Sequence, residues 1–363
     1  MQILKQERLI GLAILAAIIG FFFEHHVLEA GQIASLLGAA FLIGAIMLAS
    51  MRVAHHAEVL AAKVGDPYGT MILTTSAVAV EVLILAIMMR NDGSPTLVRD
   101  TIYSAVMLDI NGILGLAALL GGLKHGEQPY NDDSGKTYGV MILTAMGISM
   151  IVPEFVPDAK WQYYSVFTII AMIALYGLFL RMQVGTHSYF FSYRYPTRSR
   201  EEKEAEHGTE SDESATVAIV VIIVGVLVIG ALAEMMSVFL NTGLEGTGAP
   251  PALAAIMVAA ISAGPEILAA LRAALRDRMQ ATVNIAMGAS LSTVILTVPV
   301  MEAIALYTGQ PFIMAMTPAQ TVMVAITLVV AAINLNDGET NAIEGMTHFV
   351  LFATFIMLSF LGL

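Results

Sequence analysis

Long apolar stretches, each close to twenty residues and separated by short polar turns, run through the chain from end to end. About 20 apolar helical residues cross the ~30 Å hydrocarbon layer of a bilayer, so each stretch reads as a membrane span. Eleven are expected, at about residues 8–23, 30–51, 67–89, 98–122, 137–153, 162–184, 216–240, 250–273, 280–307, 312–334 and 341–362. In two of them a lone acid interrupts the apolar run. Glu81 follows Met71-Ile-Leu-Thr-Thr-Ser-Ala-Val-Ala-Val80, and Glu266 follows Ile256-Met-Val-Ala-Ala-Ile-Ser-Ala-Gly-Pro265. A carboxylate near a bilayer midplane costs about 3 kcal/mol or more unless it is protonated or paired. Two of them, in corresponding places in the two halves of the chain, predict a site that alternates between a cation and protons.

Composition agrees with an integral membrane protein. Of 363 residues 57% are apolar and 13% charged, about half the charged share of a soluble domain. The first apolar run has no small-residue cleavage site and begins an array of spans, so it is expected to stay as a span rather than be removed as a signal peptide. Cysteine is absent, which excludes disulfides, thiolate metal sites and cysteine nucleophiles.

The net charge of −12 says less than where the positive residues fall. With the N-terminus in the cytoplasm, the inner loops carry Lys5, Arg8, Arg52, Lys63, Lys124, Lys136, Arg181, Arg194, Arg198, Arg200, Lys203, Arg272, Arg276 and Arg278. The outer loops carry Arg90, Arg99 and Lys160. A split of 14 to 3 follows the positive-inside rule, placing the C-terminus outside and the chain in the cell's inner (plasma) membrane.

One long hydrophilic stretch, residues 194–215, is half charged and nearly free of apolar residues, which reads as a flexible cytoplasmic linker. A cation-sensing role for its seven acids is the alternative. Deleting Glu201 to Glu213 is expected to leave transport chemistry intact. Six spans precede the linker and five follow. Setting the first aside leaves five plus five, and two related units with an odd number of spans must lie in opposite orientations. The expected architecture is therefore all-α and polytopic. It has an N-terminal helix (1–29), a first five-helix repeat (30–184), an acidic linker (185–215) and a second, inverted repeat (216–363). Glu58 lies 23 residues before Glu81 and Glu234 lies 32 before Glu266, so each acidic pair spans the first two helices of its half.

Further polar residues fall at membrane depth. Pro265 has no amide hydrogen, which frees the carbonyl of Ile261, and Ser262 lies one turn from Glu266 on the same face. A freed carbonyl beside a carboxylate suits a hard cation, whereas a kink used only for packing is the plainer reading. Thr74 stands two turns before Glu81, with Thr75 beside it; membrane hydroxyls more often satisfy the carbonyl four residues back. Asp109 and Asn111 fall in the fourth span. Asn284, Gly288 and Ser292 recur at intervals of four in the ninth, with Ser290 nearby, a spacing that also serves close helix packing. Glu154 and Glu302 are expected near the outer ends of their spans, within reach of water. His55 and His56 read as an interfacial pair. No zinc signature, phosphate-cradling glycine loop or nucleic-acid signal is present.

The run Glu58-Val-Leu-Ala-Ala-Lys-Val-Gly-Asp-Pro-Tyr-Gly69 leading to Glu81 resembles the first α-repeat of the Ca²⁺/cation antiporter superfamily, in its cation/proton exchanger (CAX) branch. Pro265-Glu266 through Leu275-Arg-Asp-Arg-Met279 to Gly288-Ala-Ser-Leu-Ser292 and Thr297-Val-Pro299 resembles the second. Asn111-Gly-Ile-Leu-Gly-Leu116, Gly121-Gly-Leu-Lys-His-Gly-Glu-Gln128 and Gln280 with Asn284 are similar to the ChaA-type subfamily. The likeness covers nearly the whole chain. Members of the CAX branch usually carry Gly-Asn-x-x-Glu before each key glutamate. Here those positions hold Ala77-Val78 and Ser262-Ala263, so the glutamates carry over and the amides do not.

The resemblance implies a Ca²⁺/H⁺ antiporter that expels Ca²⁺ against inward protons by alternating access. Glu81 and Glu266 would hold cation or protons, and Thr74, Thr75, Ile261, Ser262, Asp109, Asn111, Asn284, Ser290 and Ser292 would support them. Glu58 and Glu234 are placed on the gating helices, spans two and seven. No cofactor is expected beyond the transported Ca²⁺ and H⁺, and the lipid bilayer is a further partner. Exchange of Na⁺ or K⁺ for protons at the same glutamates is the alternative. A channel would not drive uphill transport from a pH gradient, and an enzyme would need a nucleophile or metal cluster that the sequence lacks.

Overall fold

The computed structural model describes residues 7–64, 68–92, 94–185, 187–193, 214–250, 252–309 and 312–363, with side chains except at 68–71, 73 and 91–92. Most of the acidic linker (194–213) and the loop at 65–67 thus lie outside the described residues. The chain is helical almost throughout: α1 (Arg8–Glu29), α2 (Gln32–Val64), α3 (Tyr68–Asp92), α4 (Leu97–His125), α5 (Asp132–Phe155), α6 (Asp158–Val184), α7 (Ala215–Leu244), α8 (Ala252–Ser262), α9 (Gly264–Leu275), α10 (Met279–Thr308), α11 (Pro318–Asn334) and α12 (Ala342–Phe360). Among the described residues eight of these are long and apolar enough to cross a membrane, and α8 with α9 makes a ninth if the bent pair is one span.

The remaining two expected stretches form α3 and the shorter α11. The expected span at 312–334 begins late. Pro318 starts the helix, Thr317 accepts from the Gln320 amide, and the Gln320 side chain returns to the Thr317 backbone in a capping box. Residues 312–317 instead run extended across the bundle end, where Ile313 N donates to Pro95 O and Met316 N to Met150 O.

Contacts between turns sort the helix ends into two groups. At one end Gln128–Pro129 pairs antiparallel with Glu339–Thr340, joining the α4–α5 turn to the α11–α12 turn. Lys124 and Gln128 there donate to the carbonyls of Leu275 and Ala274, at the end of α9. Glu7, before α1, meets Arg52 and His56 of α2 at 2.5 and 3.0 Å. Burial raises the Glu7 carboxyl, but the hydrogen bonds from Arg52 and His56 outweigh it and hold the group below its ordinary value. A depressed carboxyl stabilises the fold above its unfolded value and loses that contribution as pH falls, so this clasp weakens in acid. At the other end, the α3–α4 turn meets the α10–α11 connection, and Gln32 bonds the carbonyl of Glu245.

Two apolar clusters make up the interior. One gathers α1, α2, α3, α7 and α8 around Leu42, Ile46 and Phe239; the other gathers α4 to α6 and α9 to α12. Lipid tails are as apolar as leucine, so close approach rather than water exclusion holds such helices together. At Gly345 of α12 an added Cβ would stand 2.1 Å from the Leu119 amide nitrogen of α4, and at Gly122 of α4 2.3 Å from the Ala342 amide nitrogen of α12. Neither neighbour can yield, because both are backbone. Gly345→Ala is therefore expected to force α4 and α12 apart at a cost of about 1–3 kcal/mol. A melting midpoint of the detergent-purified variant within a degree of wild type would contradict this.

Candidate functional site

α8 ends at Ser262 and α9 begins at Gly264, bent 58° from it, with Pro265 in its first turn. The proline cannot donate to the Ile261 carbonyl, which makes this the natural place to interrupt the helix. Glu266 falls in the first turn of α9, where the exposed amides and the positive end of the helix dipole favour a carboxylate. Glu81 sits in unbroken helix on α3, 4% exposed. Its Oε2 accepts a 2.9 Å hydrogen bond from Thr293 Oγ1 of α10, and its Oε1 accepts none from the described residues. Glu266 Oε2 is likewise sealed and unbonded among them. The two carboxylates are close enough to act on each other electrostatically, and buried Asp109 of α4 feels both. Among the described residues no three acids or histidines converge tightly enough to form a ready metal cage.

Two π-helical segments adjoin this centre. Residues Leu108–Leu114 of α4 carry Asp109 and Asn111, and Thr293–Thr297 of α10 carry the donor to Glu81. A π-turn re-aims side chains within a continuous helix and commonly marks a functional site.

A cavity of about 560 Å³ reaches Glu266 from the bundle end where α6 finishes. Glu58 of α2, Thr74 of α3, Ser262, and Asn284 and Ser292 of α10 line it, as do Gln183 and Ser188 near its mouth. Glu81 and Thr293 are not among its lining residues, so the Glu81 carboxylate lies behind the cavity wall.

Several candidate ligands are otherwise engaged. Ser262 and Ser292 donate back to carbonyls three and four residues earlier, the ordinary habit of hydroxyls in membrane helices. Asn284 accepts from Gln280 at 3.0 Å and donates to the Phe191 carbonyl at 2.8 Å. Asn111 donates to Thr327 at 2.7 Å and its Oδ1 lies 2.9 Å from His348 Nδ1, a buried link from α4 to α11 and α12. Thr75 is exposed, whereas Ile261 and Ser290 are buried outside the cavity lining. Glu234 pairs with Arg90 on an exposed face, away from the cavity. Glu302, expected near water, is instead 7% exposed and lies beside Ser165 of α6, whereas Glu154 is exposed. Thr293 carries no signal in the sequence, where it is one more threonine in an apolar helix.

The sodium/calcium exchanger protein family matches residues 34–185 and again 217–361. The chain belongs to that family. It is a secondary transporter of cations and not an enzyme. Over 322 residues this exchanger is 35% identical to the sodium-potassium/proton antiporter ChaA of Escherichia coli, covering 88% of the chain and 87% of that protein. It is 25% identical over 332 residues to the Ca²⁺/H⁺ antiporter ChaA of Bacillus subtilis, covering 90% and 91%. Its fold is similar to that of the Ca²⁺/H⁺ antiporter protein YfkE, with TM-score 0.73 at 18% identity, covering 97% of this chain and 98% of that one.

Among the described residues Thr293 supplies the one hydrogen bond to the Glu81 carboxylate. A hydrogen bond to a charged group contributes about 1.5–3 kcal/mol. Thr293→Val, which keeps the shape, is expected to weaken cation binding about tenfold or more. Binding within twofold of wild type, measured calorimetrically on the purified protein, would show that the bond does not serve the site.

Proposed function

We propose that this exchanger is a secondary active Ca²⁺/H⁺ antiporter that expels Ca²⁺ from the cytoplasm in exchange for inward protons. One observation carries the reading. Two glutamates, each from the second helix of its half, stand in the bundle interior: Glu81 is sealed with one carboxylate oxygen unbonded by the described residues, and Glu266 borders a cavity that reaches it from one bundle end. Together the two carboxylates neutralise one divalent ion, or each takes a proton. Empty and doubly charged, the pair is costly in the low-dielectric interior, which discourages crossing unloaded and couples the two fluxes. The chemistry needs no cofactor beyond the ions carried.

We read the architecture as eleven spans, one N-terminal helix (1–29) followed by inverted five-helix repeats at 30–184 and 216–363 joined by the linker 185–215. The separate family matches to the two halves support this, as do the π-turns in α4 and α10, each the third helix of its half. The paired turns at the two bundle ends agree with an odd number of crossings. With the N-terminus in the cytoplasm and the C-terminus outside, in the inner (plasma) membrane, the cavity mouth at the α6–α7 linker faces inward. The arrangement is then the cytoplasm-open one. α2 and α7, which pack extensively on each other and belong to a different core from most of the cavity wall, serve as the gating helices.

Na⁺ or K⁺ in place of Ca²⁺ is the second reading, favoured by the name of the Escherichia coli relative and by the missing motif amides, since an amide oxygen is a natural calcium ligand. Glu81→Gln and Glu266→Gln keep the size but cannot ionise, so each is expected to abolish cation-driven proton release in inverted vesicles. Substantial exchange by either folded variant would remove that residue from the site.

Because the ligands must be deprotonated to bind metal, apparent cation affinity is expected to rise with pH. The same vesicles, given Ca²⁺, Na⁺ or K⁺ in turn between about pH 6 and 9, measure both properties. Affinity flat across that range would mean that protons and cations do not share the carboxylates, and activity with Na⁺ or K⁺ but not Ca²⁺ would replace the first reading by the second.

A further inference from the structure

Along α10 the surroundings change in order. Asn284 to Ser292 border the cavity, Thr293 bonds Glu81, and beyond that point no α10 residue lines the cavity. In that sealed stretch stand two polar groups that the two-glutamate site does not use. Thr297 is fully buried, and its Oγ1 has no hydrogen-bond partner among the described residues. Glu302 is 7% exposed, and no ion pair among the described residues involves it. The π-turn that holds Thr297 packs against α3, α4, α5 and α6 at the centre of the bundle, and the following turns, with Glu302, pack on α6.

A buried acid at membrane depth with no cation beside it exists there as the protonated acid, or holds its charge only while an ion is passing. Thr297 lies four residues from Thr293, roughly 6 Å of helix rise, and Glu302 five further, roughly 7.5 Å. These rises place the three groups in axial order from Glu81 toward the bundle end away from the cavity, with Glu302 turned about 140° around the helix from Thr297 toward α6. Ser165 and Tyr164 of α6 are the polar side chains that act on Glu302. Lys160 and Asp158, at the start of α6, are exposed. One carboxylate with hydroxyl neighbours and no second acid suits a proton rather than a divalent ion.

We propose that Glu302 is a third proton-carrying carboxylate of this exchanger, standing between Glu81 and the outer face. It takes a proton from the outer side, becoming the neutral acid, and gives it up toward Glu81 past the Thr297 hydroxyl, returning to the carboxylate. This rests on the antiport reading above and adds a residue to its outer half-path.

The test uses the full-length protein in inverted membrane vesicles with the luminal pH, which is the outer side, set independently. Wild type, Glu81→Gln, Glu302→Gln and Glu302→Asp are compared at equal amounts of assembled protein. Glu302→Gln is expected to slow cation-driven exchange about tenfold and to remove its dependence on luminal pH. The cytoplasmic-side cation KM should stay within twofold of wild type. Glu302→Asp, which keeps the carboxylate, should retain at least half the rate and a luminal-pH dependence. A Glu302→Gln variant within twofold of wild type with the same luminal-pH profile overturns the proposal. Equal slowing by both variants with that profile unchanged also overturns it, leaving a packing role. Should the Gln variant fail to assemble, Glu302→Asp decides alone: a shifted luminal-pH profile supports the proposal and an unshifted one overturns it. Active wild type with inactive Glu81→Gln keeps the antiport reading whatever Glu302 does, whereas inactive wild type overturns both.

Discussion

A carboxylate withdrawn from water into an apolar bundle must be neutralised, and the rest of this structure follows from having two such groups within range of each other. Glu266 is met by the open N-terminus of α9, created where Gly264 and Pro265 break the helix. Glu81, in unbroken helix, is met by a hydroxyl from across the bundle. Neither arrangement supplies a full positive charge. Each leaves one oxygen unsatisfied by the described residues, the place that the proposed exchange fills with a proton or a cation. Stronger neutralisation by a fixed lysine or arginine would stabilise the fold and abolish the exchange.

The site lies along the seam between the two apolar cores. α2 and α3 contribute Glu58 and Thr74 to the cavity from one side, and α10 contributes Asn284 and Ser292 from the other. Packed interfaces of this kind shift between discrete arrangements rather than deform continuously, which is the behaviour the proposed gating by α2 and α7 requires. Polar residues away from the seam brace it. Asn111, Thr327 and His348 tie α4 to α11 and α12, and Gly122 and Gly345 bring α4 and α12 into backbone contact. Asn111 is in this way occupied as a strut, two residues from Asp109 on the same π-turn.

Much of the design was legible along the chain. Lone acids in apolar runs are costly enough to stand out; Glu81 is buried and Glu266, partly buried, borders the cavity. The Gly264-Pro265 break falls where the missing amide hydrogen required it, and several helices match their apolar stretches closely, as in Leu97–His125 for the stretch at 98–122, whereas α2 continues to Val64, 13 residues past the stretch expected to end at 51. α11 starts at Pro318, six residues into its apolar stretch, because Met314 and Met316 are buried outside any helix and apolar content alone does not distinguish that from helix.

The sequence by itself determined that the chain crosses a membrane many times and singled out Glu81 and Glu266 as the acids at depth on which the proposed exchange rests. Only the tertiary structure decided that Thr293 serves Glu81 from 212 residues away, that Asn111 turns toward His348, that Glu302 is sealed, and on which side the cavity opens. The reason is physical. In a soluble helix the polar face marks the outside, but in lipid both the core-facing and lipid-facing sides are apolar, so the periodic signal that would orient each helix is nearly erased. Which way a threonine or glutamate points is then set by the neighbouring helices, and those are chosen by packing that no single span records.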